Sequence, residues 1–373
     1  HTHAYSALAT GMPGPSSPPR TFREILERVW WRLDVALDEE SVRASGELTA
    51  LRALRAGATC IIDHHESPRF IDGSLDVLAT AFRALGARGI LAYGATDRHG
   101  AEGARHGLRE SERFMQATRS DPFFRGAIGL HAPFTCGRTT LEGASEARAR
   151  HASWLHLHAA EGPDDQRAAL ERSGLRLMHE LDTLGILSER TILAHVVDVD
   201  EQEMSQLDAR RVWMTHQPRS NMNNGVGYAK HLASRTRVAL GTDGIDQDVV
   251  RELEAASWAA HGAFGPSFSF DAVARLFAGH RLASEVFGVP LGSLEIGSVA
   301  DVVVWHHPLA TKIDATNLGA HLVFGFPSAR VRDVFVAGRA LIRDGAVTSV
   351  DEREIYDRAR SASAKLWARI EEA

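Results

Sequence analysis

The sequence predicts an α/β fold, a (β/α)8 TIM barrel followed by a small partial β-sandwich and a C-terminal helix. Short apolar runs alternate with helix-like segments as far as about Pro290, an alternation that is typical of parallel βα units. Each apolar run ends in polar or titratable residues, as expected where barrel strands reach a catalytic face. Beyond Pro290, short alternating strands and glycine-rich turns replace this pattern.

Seven apolar runs predict the barrel strands, and amphipathic segments such as SLDVLATAFRALGARG predict the helices between them. We interpret the opening HTH as the end of a truncated first strand, which brings the count to the eight that a closed barrel needs. The seven runs span residues 57–65, 88–97, 125–133, 153–161, 191–198, 211–221 and 237–244.

The C-terminal part predicts a second unit. LGSLEIGSVADVVVWHH and VRDVFVAGRALIRDGAVTSV alternate in the manner of strands, and residues 351–373 form an amphipathic helical pattern. We therefore expect a barrel over residues 1–289 and sandwich strands plus a helix over residues 290–373. The remaining sandwich strands are expected from residues upstream of His1.

Composition limits the functional classes. The 373 residues carry a formal net charge of -6, so there is no basic surplus for binding nucleic acid. No apolar run approaches the ~20 residues of a membrane span. The two cysteines, Cys60 and Cys136, are too few for a disulfide framework and are expected to be free thiols in a reducing cytosol. The sequence thus predicts a cytoplasmic protein.

Side chains that bind metals recur at the predicted strand ends. His1 and His3 are two residues apart, so on a strand both point to the same side of the sheet. His158 and Asp243 follow at the ends of later strands. Imidazoles with one carboxylate suit Zn²⁺ or Fe²⁺, and a catalytic ion lowers the pKa of its water to give a hydroxide nucleophile.

Three residues near these ligands are candidates for proton transfer. Glu161 lies three residues beyond His158 in HAAE, where a carboxylate can take a proton from the attacking water and pass it to a leaving nitrogen. Asp243 is expected to act as a ligand and as a second acceptor for that proton. His195 is expected to orient the attacking hydroxide.

Four segments in order, HTH, LHLHAAE, TILAHVVD and VALGTDGID, resemble the amidohydrolase superfamily. The resemblance covers essentially the whole chain and is strongest to the branch of cytosine and guanine deaminases and triazine hydrolases. HAYSALATGMP, WWRLDVALDEES, IIDHHESP, GLHAPFT and SNMNNGVGY are most similar to the SsnA-type aminohydrolases, also called chlorohydrolases.

The resemblance implies a metal-dependent barrel, a β-sandwich built from both chain ends and hydrolysis at a carbon that bears nitrogen or halide. It implies that His1, His3, His158 and Asp243 hold one metal ion, since no lysine ends the fourth strand where binuclear relatives carry one. It also assigns Glu161 as the proton-transferring glutamate of the HxxE motif. His195 then corresponds to the histidine that positions the hydroxide.

Other polar residues at the predicted barrel mouth are candidates for substrate binding. The histidines could contact substrate or cap loops by hydrogen bonds. The amides of SNMNN could read the edge of a heterocycle or fix their own loop, and the arginine could pair with an acidic substrate group. These candidates are His131, His64, His65, Arg219, Asn221 and Asn223.

The function predicted from the sequence is hydrolysis of carbon-nitrogen bonds other than peptide bonds. The leading hypothesis is deamination of a purine- or pyrimidine-like heterocycle by one divalent metal, zinc or iron. Cyclic amide ring opening and triazine-type dechlorination remain alternatives, because the same nucleophile and acid serve all three. A non-catalytic binding protein on a retained barrel is a further alternative. A homo-oligomer, most simply a dimer, is also expected.

Overall fold

Parallel strands form the centre of the molecule. The computed structural model describes residues 1–372. Three strands form one parallel sheet and five form another. They are β1 (Cys60–His65), β2 (Arg88–Tyr93), β3 (Phe124–Gly126), β4 (Ile128–Leu130), β5 (Leu155–Ala159), β6 (Thr191–His195), β7 (Trp213–His216) and β8 (Val238–Leu240).

Two short connections close these sheets into one barrel. Thr2 bridges in parallel to both Asp63 and Asp243, next to the strands β1 and β8. Between β3 and β4, Ala127 keeps the ladder with β2, because its N–H donates to the carbonyl of Leu91 at 3.0 Å. The segment 124–130 therefore acts as one barrel strand, and the residues around Thr2 supply the eighth. The predicted (β/α)8 barrel is confirmed.

Fourteen α-helices lie in the part of the chain that the structure describes. None of them is both long enough and apolar enough to cross a membrane. They are α1 (Phe22–Ile25), α2 (Trp31–Ala36), α3 (Glu39–Arg55), α4 (Ser74–Leu85), α5 (Gly100–Ala117), α6 (Arg138–His151), α7 (Pro163–Ser173), α8 (Leu177–Thr183), α9 (Glu201–Ala209), α10 (Pro218–Asn223), α11 (Val249–Phe264), α12 (Ala272–Phe287), α13 (Leu318–Phe324) and α14 (Glu352–Glu372).

Local sequence signals fix several helix ends. Asp38 caps α3 in a reciprocal capping box with Ser41, and Asp200 forms the same arrangement with Glu203 at the start of α9. Gly86 ends α4 with a left-handed backbone conformation, which glycine adopts without steric cost. Asp200 thus begins α9 five residues after His195, at the C-terminal end of β6, whereas Gly86 returns the chain to the start of β2.

The C-terminal region forms an antiparallel sheet and a helix, as predicted. The strands are β9 (Val302–His306), β10 (Arg330–Val336), β11 (Arg339–Arg343) and β12 (Ala346–Val347), in the order β12-β11-β10-β9. Val334 and Leu341 of this sheet are buried in the same apolar cluster as Leu85 of α4 and Leu366 of α14. The sheet is thus anchored to the outside of the barrel. The domain boundary at residues 289 and 290 stays a prediction.

Close strand packing makes Gly129 of β4 a sensitive position. A Cβ there would lie 2.1 Å from the backbone oxygen of Tyr93 on β2. Since neither strand can move without disturbing the barrel, we expect Gly129→Ala to lower the free energy of unfolding by about 1–3 kcal/mol or more. In α11, a Cβ added at Gly262 would have no atom within 4 Å. Gly262→Ala should therefore raise the free energy of unfolding by roughly 0.5–1 kcal/mol. Thermal unfolding of the two variants checks this, and equal midpoints would contradict it.

Candidate metal centre and active site

Four buried side chains converge at the C-terminal end of the barrel. His1 and His3 flank Thr2, His158 lies on β5, and Asp243 follows β8. One donor atom from each lies within 4.8 Å of all the others. The structure thus brings together the four residues that the sequence predicted as metal ligands.

The spacing of the donor atoms fits a single divalent ion. Nε2 of His3 is 3.0 Å from Nε2 of His158 and 3.1 Å from Oδ1 of Asp243. Nε2 of His1 is 3.6 Å from the same Asp243 oxygen. A tetrahedral zinc site with bonds of about 2.0–2.2 Å has ligand-to-ligand distances of about 3.3–3.6 Å. Three imidazoles and one carboxylate are also a donor set that zinc takes in catalytic sites.

Hydrogen bonds on the far side of two rings fix which nitrogen faces the centre. Nδ1 of His3 lies 2.7 Å from the carbonyl oxygen of His64, and Nδ1 of His158 lies 2.6 Å from that of His131. A carbonyl only accepts, so each Nδ1 carries a proton and the neutral form of each ring offers the lone pair of its Nε2. Two such lone pairs would face each other at 3.0 Å, and a cation at this point, a proton on His3 or a metal ion, removes the repulsion.

His1 is held by a residue that the sequence analysis did not select. Its Nδ1 is 2.9 Å from Nε2 of His156, which lies two residues before His158 and therefore on the same face of β5. The Nε2 of His1 is buried and has no hydrogen-bond partner within residues 1–372. An unpartnered buried nitrogen beside the Asp243 carboxylate is further support for a metal ligand. The LHLH alternation is the signal that could have identified His156.

Electrostatic coupling shows that the centre favours positive charge. Burial alone would lower the pKa of His3, but the hydrogen bond and charge of Asp243 raise it to about 9. Burial would likewise raise the pKa of Asp243, yet the His3 ring holds it well below its usual range. The carboxylate therefore stays ionised, and a divalent cation must displace the proton that it shares with His3.

The predicted proton-transfer residues lie beside the ligands. Oε2 of Glu161 is 3.4 Å from Nε2 of His195, and the same nitrogen is 4.0 Å from Oδ2 of Asp243. Burial, reinforced by the charge of Asp243, raises the pKa of Glu161 well above its usual value. A carboxyl group with a raised pKa can both release and take up a proton near neutral pH.

His195 is oriented by two amide side chains. Its backbone N–H donates to Oε1 of Gln217 at 3.0 Å, and its Nδ1 lies 2.9 Å from Oδ1 of Asn221. With the proton on Nδ1, the Nε2 lone pair faces Glu161.

His195 and Asp243 have φ angles of 76° and 52°, and non-glycine residues in this left-handed region cost of order 1–3 kcal/mol each. Eight non-glycine residues of the described chain have positive φ, and two of them are thus predicted catalytic residues.

A pocket lined by aromatic residues covers the centre. Between α1 and α2, residues Leu26–Trp30 form a π-helical turn, and Leu26 and Trp30 both line this pocket. Arg23 lies 4.8 Å from the ring centre of Trp31 and 5.4 Å from that of Phe134. The arrangement presents flat apolar side chains above the metal ligands. The other lining side chains include Tyr5, Phe22, Glu66, His131, Glu161, Ser220, Asn224 and Ile245.

Of the histidines predicted to bind substrate, His131 lines this pocket. Its Nδ1 is 2.7 Å from Oγ1 of Thr135. His64 and His65 are fully buried and lie outside the lining. Nε2 of His64 binds the carbonyl of Leu130 at 2.9 Å, and Nε2 of His65 binds Oγ of Ser67 at 2.9 Å. Their placement differs from the expectation because β1 continues through both residues.

The three predicted residues of the 217–224 segment also lie outside the pocket lining. Arg219 already pairs with Asp246 at 2.6 Å and with Glu252 at 2.7 Å, so no charge remains for an acidic substrate group. Asn221 is engaged with His195, and Asn223 is exposed. These positions differ from the expectation because the segment is a helix, α10, rather than a loop.

The side chains that α10 does present to the centre were missed. Ser220 donates a short hydrogen bond to Oδ2 of Asp243. Nδ2 of Asn224 donates to Oε1 of Glu161 at 3.3 Å and is also 3.3 Å from the Ser220 oxygen. The two are four residues apart, one helical turn, and so lie on the same face. If the segment PRSNMNN had been predicted as a helix, its periodicity would have indicated that Ser220 and Asn224 face the centre together.

Comparison with known proteins identifies the family. The model of the amidohydrolase family matches residues 1–341. The chain belongs to the amidohydrolase family. This membership confirms the predicted enzyme class, a metal-dependent hydrolase of carbon-nitrogen bonds.

Several relatives have names that describe deamination. A 5'-deoxyadenosine deaminase of Methanopyrus kandleri is 28% identical over 98% of this chain and 84% of its own length. Another, of Methanocaldococcus jannaschii, is 26% identical over 96% of this chain and 85% of its own length.

Solved structures of the same fold are similar over almost all of this amidohydrolase. An adenosine deaminase from Xanthomonas campestris with bound zinc has a TM-score of 0.84 at 23% identity, covering 98% of this chain and 84% of that one. The atrazine chlorohydrolase of Arthrobacter aurescens with zinc has a TM-score of 0.80 at 21% identity, with coverages of 97% and 86%. These similarities confirm the barrel fold.

The Asn221 contact yields a testable expectation. Asn221→Ala removes the acceptor that fixes the His195 ring, so we expect kcat to fall about 10- to 100-fold while KM changes little. Met222→Ala, on the neighbouring exposed residue of α10, should leave both constants unchanged. A pH profile of kcat whose shape changes only in the Asn221 variant would support a positioning role. Unchanged kcat in that variant would contradict it.

Proposed function

We propose that this amidohydrolase deaminates an amino-substituted purine, carried on a small sugar as in 5'-deoxyadenosine, and releases ammonia. The observation that carries the proposal is the Glu161 carboxyl group, buried at the metal centre with its pKa raised and enclosed by aromatic side chains. The names of the relatives from Methanopyrus and Methanocaldococcus support the substrate class.

The residues His1, His3, His158 and Asp243 would hold one divalent ion, with zinc preferred for their three nitrogens and one oxygen. When bound, such an ion acidifies water and polarises the bond under attack. Asp243 is held ionised by its neighbours and also accepts a hydrogen bond from Ser220. Its second oxygen is thereby directed towards His195 and the attacking water.

Glu161 carries protons during the reaction. It takes one proton from water and delivers it to the ring nitrogen next to the reacting carbon. Oxygen then bonds to that carbon, the carbon-nitrogen bond to the amino group breaks, and the second water proton leaves with ammonia. Asn224 donates to Oε1 of Glu161 and so leaves Oε2, which faces His195, for proton transfer.

His195 orients the attacking oxygen. Burial lowers the pKa of this imidazole, and its Nδ1 proton is engaged by Asn221. The neutral Nε2 therefore accepts a hydrogen bond from the water and aligns it towards the substrate carbon. Trp31 and Phe134 line the same pocket, and flat aromatic rings can stack on a purine.

The test is a product screen with the zinc-loaded protein. Adenosine, 5'-deoxyadenosine, cytosine, guanine, a hydantoin and a chlorotriazine are incubated separately, and ammonia, chloride and opened rings are measured. We expect ammonia from the adenine nucleosides and neither chloride nor ring opening from the others. Chloride or an opened ring without ammonia would instead support dechlorination or cyclic amide hydrolysis.

A further inference from the structure

A second carboxylate, Glu66, lies in the pocket and has no role in the steps above. It follows β1, is 2% exposed and lines the same pocket as Glu161. Arg98 donates to its Oε2 at 2.6 Å and also pairs with Asp34 at 2.7 Å. The other oxygen, Oε1, is buried and has no hydrogen-bond partner in the described part of the chain. A buried carboxylate oxygen without a donor is costly and calls for an explanation.

Two imidazole nitrogens lie close to this oxygen. Nδ1 of His64 is 3.6 Å from Oε1, and Nε2 of His131 is 3.8 Å from it. Neither distance is a hydrogen bond. These contacts therefore leave Oε1 unsatisfied.

The hydrogen bonds at the far side of both rings show that these nitrogens are acceptors. Nε2 of His64 donates to the carbonyl of Leu130, so its Nδ1 carries only a lone pair. The hydroxyl of Thr135 donates to the carbonyl of Ala132 at 2.9 Å. Its oxygen must therefore accept the Nδ1 proton of His131, which leaves Nε2 of His131 as a lone pair. Three acceptors thus converge without a donor between them.

The charges of the side chains around Glu66 also indicate that a hydrogen-bond donor is missing at Oε1. Glu66 and Asp34 share one guanidinium, so the cluster has one carboxylate more than it has cations. Burial and the nearby Asp34 charge raise the pKa of Glu66 to about 8, although Arg98 opposes this shift, so the pocket without ligand favours a proton on this carboxyl group that separates the three acceptors. A ligand that donates a hydrogen bond to Oε1 would take the place of that proton.

We infer that Glu66 and His131 recognise a hydrogen-bond donor on the substrate, a hydroxyl or an amino group away from the reacting carbon, so that Glu66 determines substrate specificity. Their acceptor atoms are 3.8 Å apart, so one donor atom between them can lie within about 2.9 Å of both. The inference rests on the proposed deaminase function. It narrows the substrate to heterocycles with a second donor, on the sugar or on the ring.

The test compares ligand pairs that differ only in such a donor. The sugar pair is 5'-deoxyadenosine and 2',3',5'-trideoxyadenosine, and the ring pair is 2,6-diaminopurine and adenine. Dissociation constants are measured by calorimetry in zinc-loaded Glu161→Gln protein, in which binding is separated from turnover. We expect one pair to show a preference of about 10- to 100-fold for the member that carries the donor, as for a buried hydrogen bond to a charged group.

When Glu66→Gln is added to the Glu161→Gln protein, the ratio of the two dissociation constants in that ligand pair should fall close to one. The amide oxygen of glutamine would face Arg98, and its NH2 group would face the two imidazole lone pairs, so the acceptor becomes a donor. Glu66→Asp, which keeps the charge, should retain part of the preference. The matched control is Glu171→Gln, the same substitution at an exposed residue of α7 that lies outside the pocket lining. It should retain the full preference.

The outcomes separate this inference from the proposed function. Ligand pairs that bind without any preference, or a preference that survives Glu66→Gln, would overturn the role of Glu66 and leave the deaminase proposal intact. Failure of all four ligands to bind would overturn both proposals. The pair that shows the preference identifies the donor as a sugar hydroxyl or as a ring amino group.

Discussion

Replacing Asp243 by Asn is expected to remove the metal and to lower turnover by about 10³-fold or more. Asp243 supplies the one carboxylate of the ligand set, within 3.1 Å and 3.6 Å of two imidazole nitrogens. An amide in its place loses the negative charge that attracts the cation. Loss of a catalytic ion removes several kcal/mol of transition-state stabilisation, and each ~1.4 kcal/mol is a factor of ten in rate.

The measurement for this variant is zinc content by elemental analysis together with kcat. Asp271→Asn is the matched control, because Asp271 caps α12 far along the chain and asparagine caps helices equally well. The control should bind one zinc and keep its activity. An Asp243→Asn protein that retains stoichiometric zinc and normal turnover would contradict the assigned ligand set.

Replacing Glu161 by Gln is expected to lower kcat by about 10²- to 10⁴-fold, the usual contribution of a positioned general acid and base. Glutamine has nearly the same shape and can keep the contact with Asn224, but it cannot carry a proton. The variant should therefore retain zinc and substrate binding. This separates it from Asp243→Asn, which loses both metal and activity.

Glu171→Gln is the control for this substitution, since Glu171 is exposed on α7, the helix that follows Glu161. Its kcat and KM should equal those of the parent protein. If Glu161→Gln turned over at the parental rate, proton transfer would have to be assigned to another residue, and the proposed mechanism would be wrong.

The metal ligands could be predicted from sequence because they follow from strand geometry. A strand repeats every two residues, so His1 and His3 must share a side, and parallel strands in a barrel bring all their C-terminal ends to one rim. His158 and Asp243 occupy those ends. Strand context thus placed these candidates on one rim, and the resemblance to the amidohydrolase superfamily selected the four ligands among the polar residues there.

The substrate residues could not be predicted in the same way, because their orientation depends on local structure that the motifs do not specify. Arg219 was selected for its charge, but the carboxylates of Asp246 and Glu252 already pair with it. Asn224 was overlooked beside Asn221 and Asn223, because only the helical period of α10 turns it towards Glu161. Glu66 was overlooked because its partner Arg98 lies after the next strand.

Other expectations concern properties outside a single chain. The dimer and the cytoplasmic location stay predictions. The partial β-sandwich appears as a four-stranded sheet on the barrel helices. Within residues 1–372, the contacts of α14 and of β11 with α3 explain how this sheet is held in place.

Deamination in water labelled with ¹⁸O is the most direct test of the central claim, that this centre hydrolyses a carbon-nitrogen bond of an aminopurine. Zinc-loaded protein is incubated with 5'-deoxyadenosine, and ammonia and the mass of the nucleoside product are measured together. The account predicts one ammonia per product, with one ¹⁸O atom at the former amino position, and product formation about 10²- to 10⁴-fold slower with Glu161→Gln. A zinc-loaded protein that releases no ammonia, or a product without the label, would contradict it.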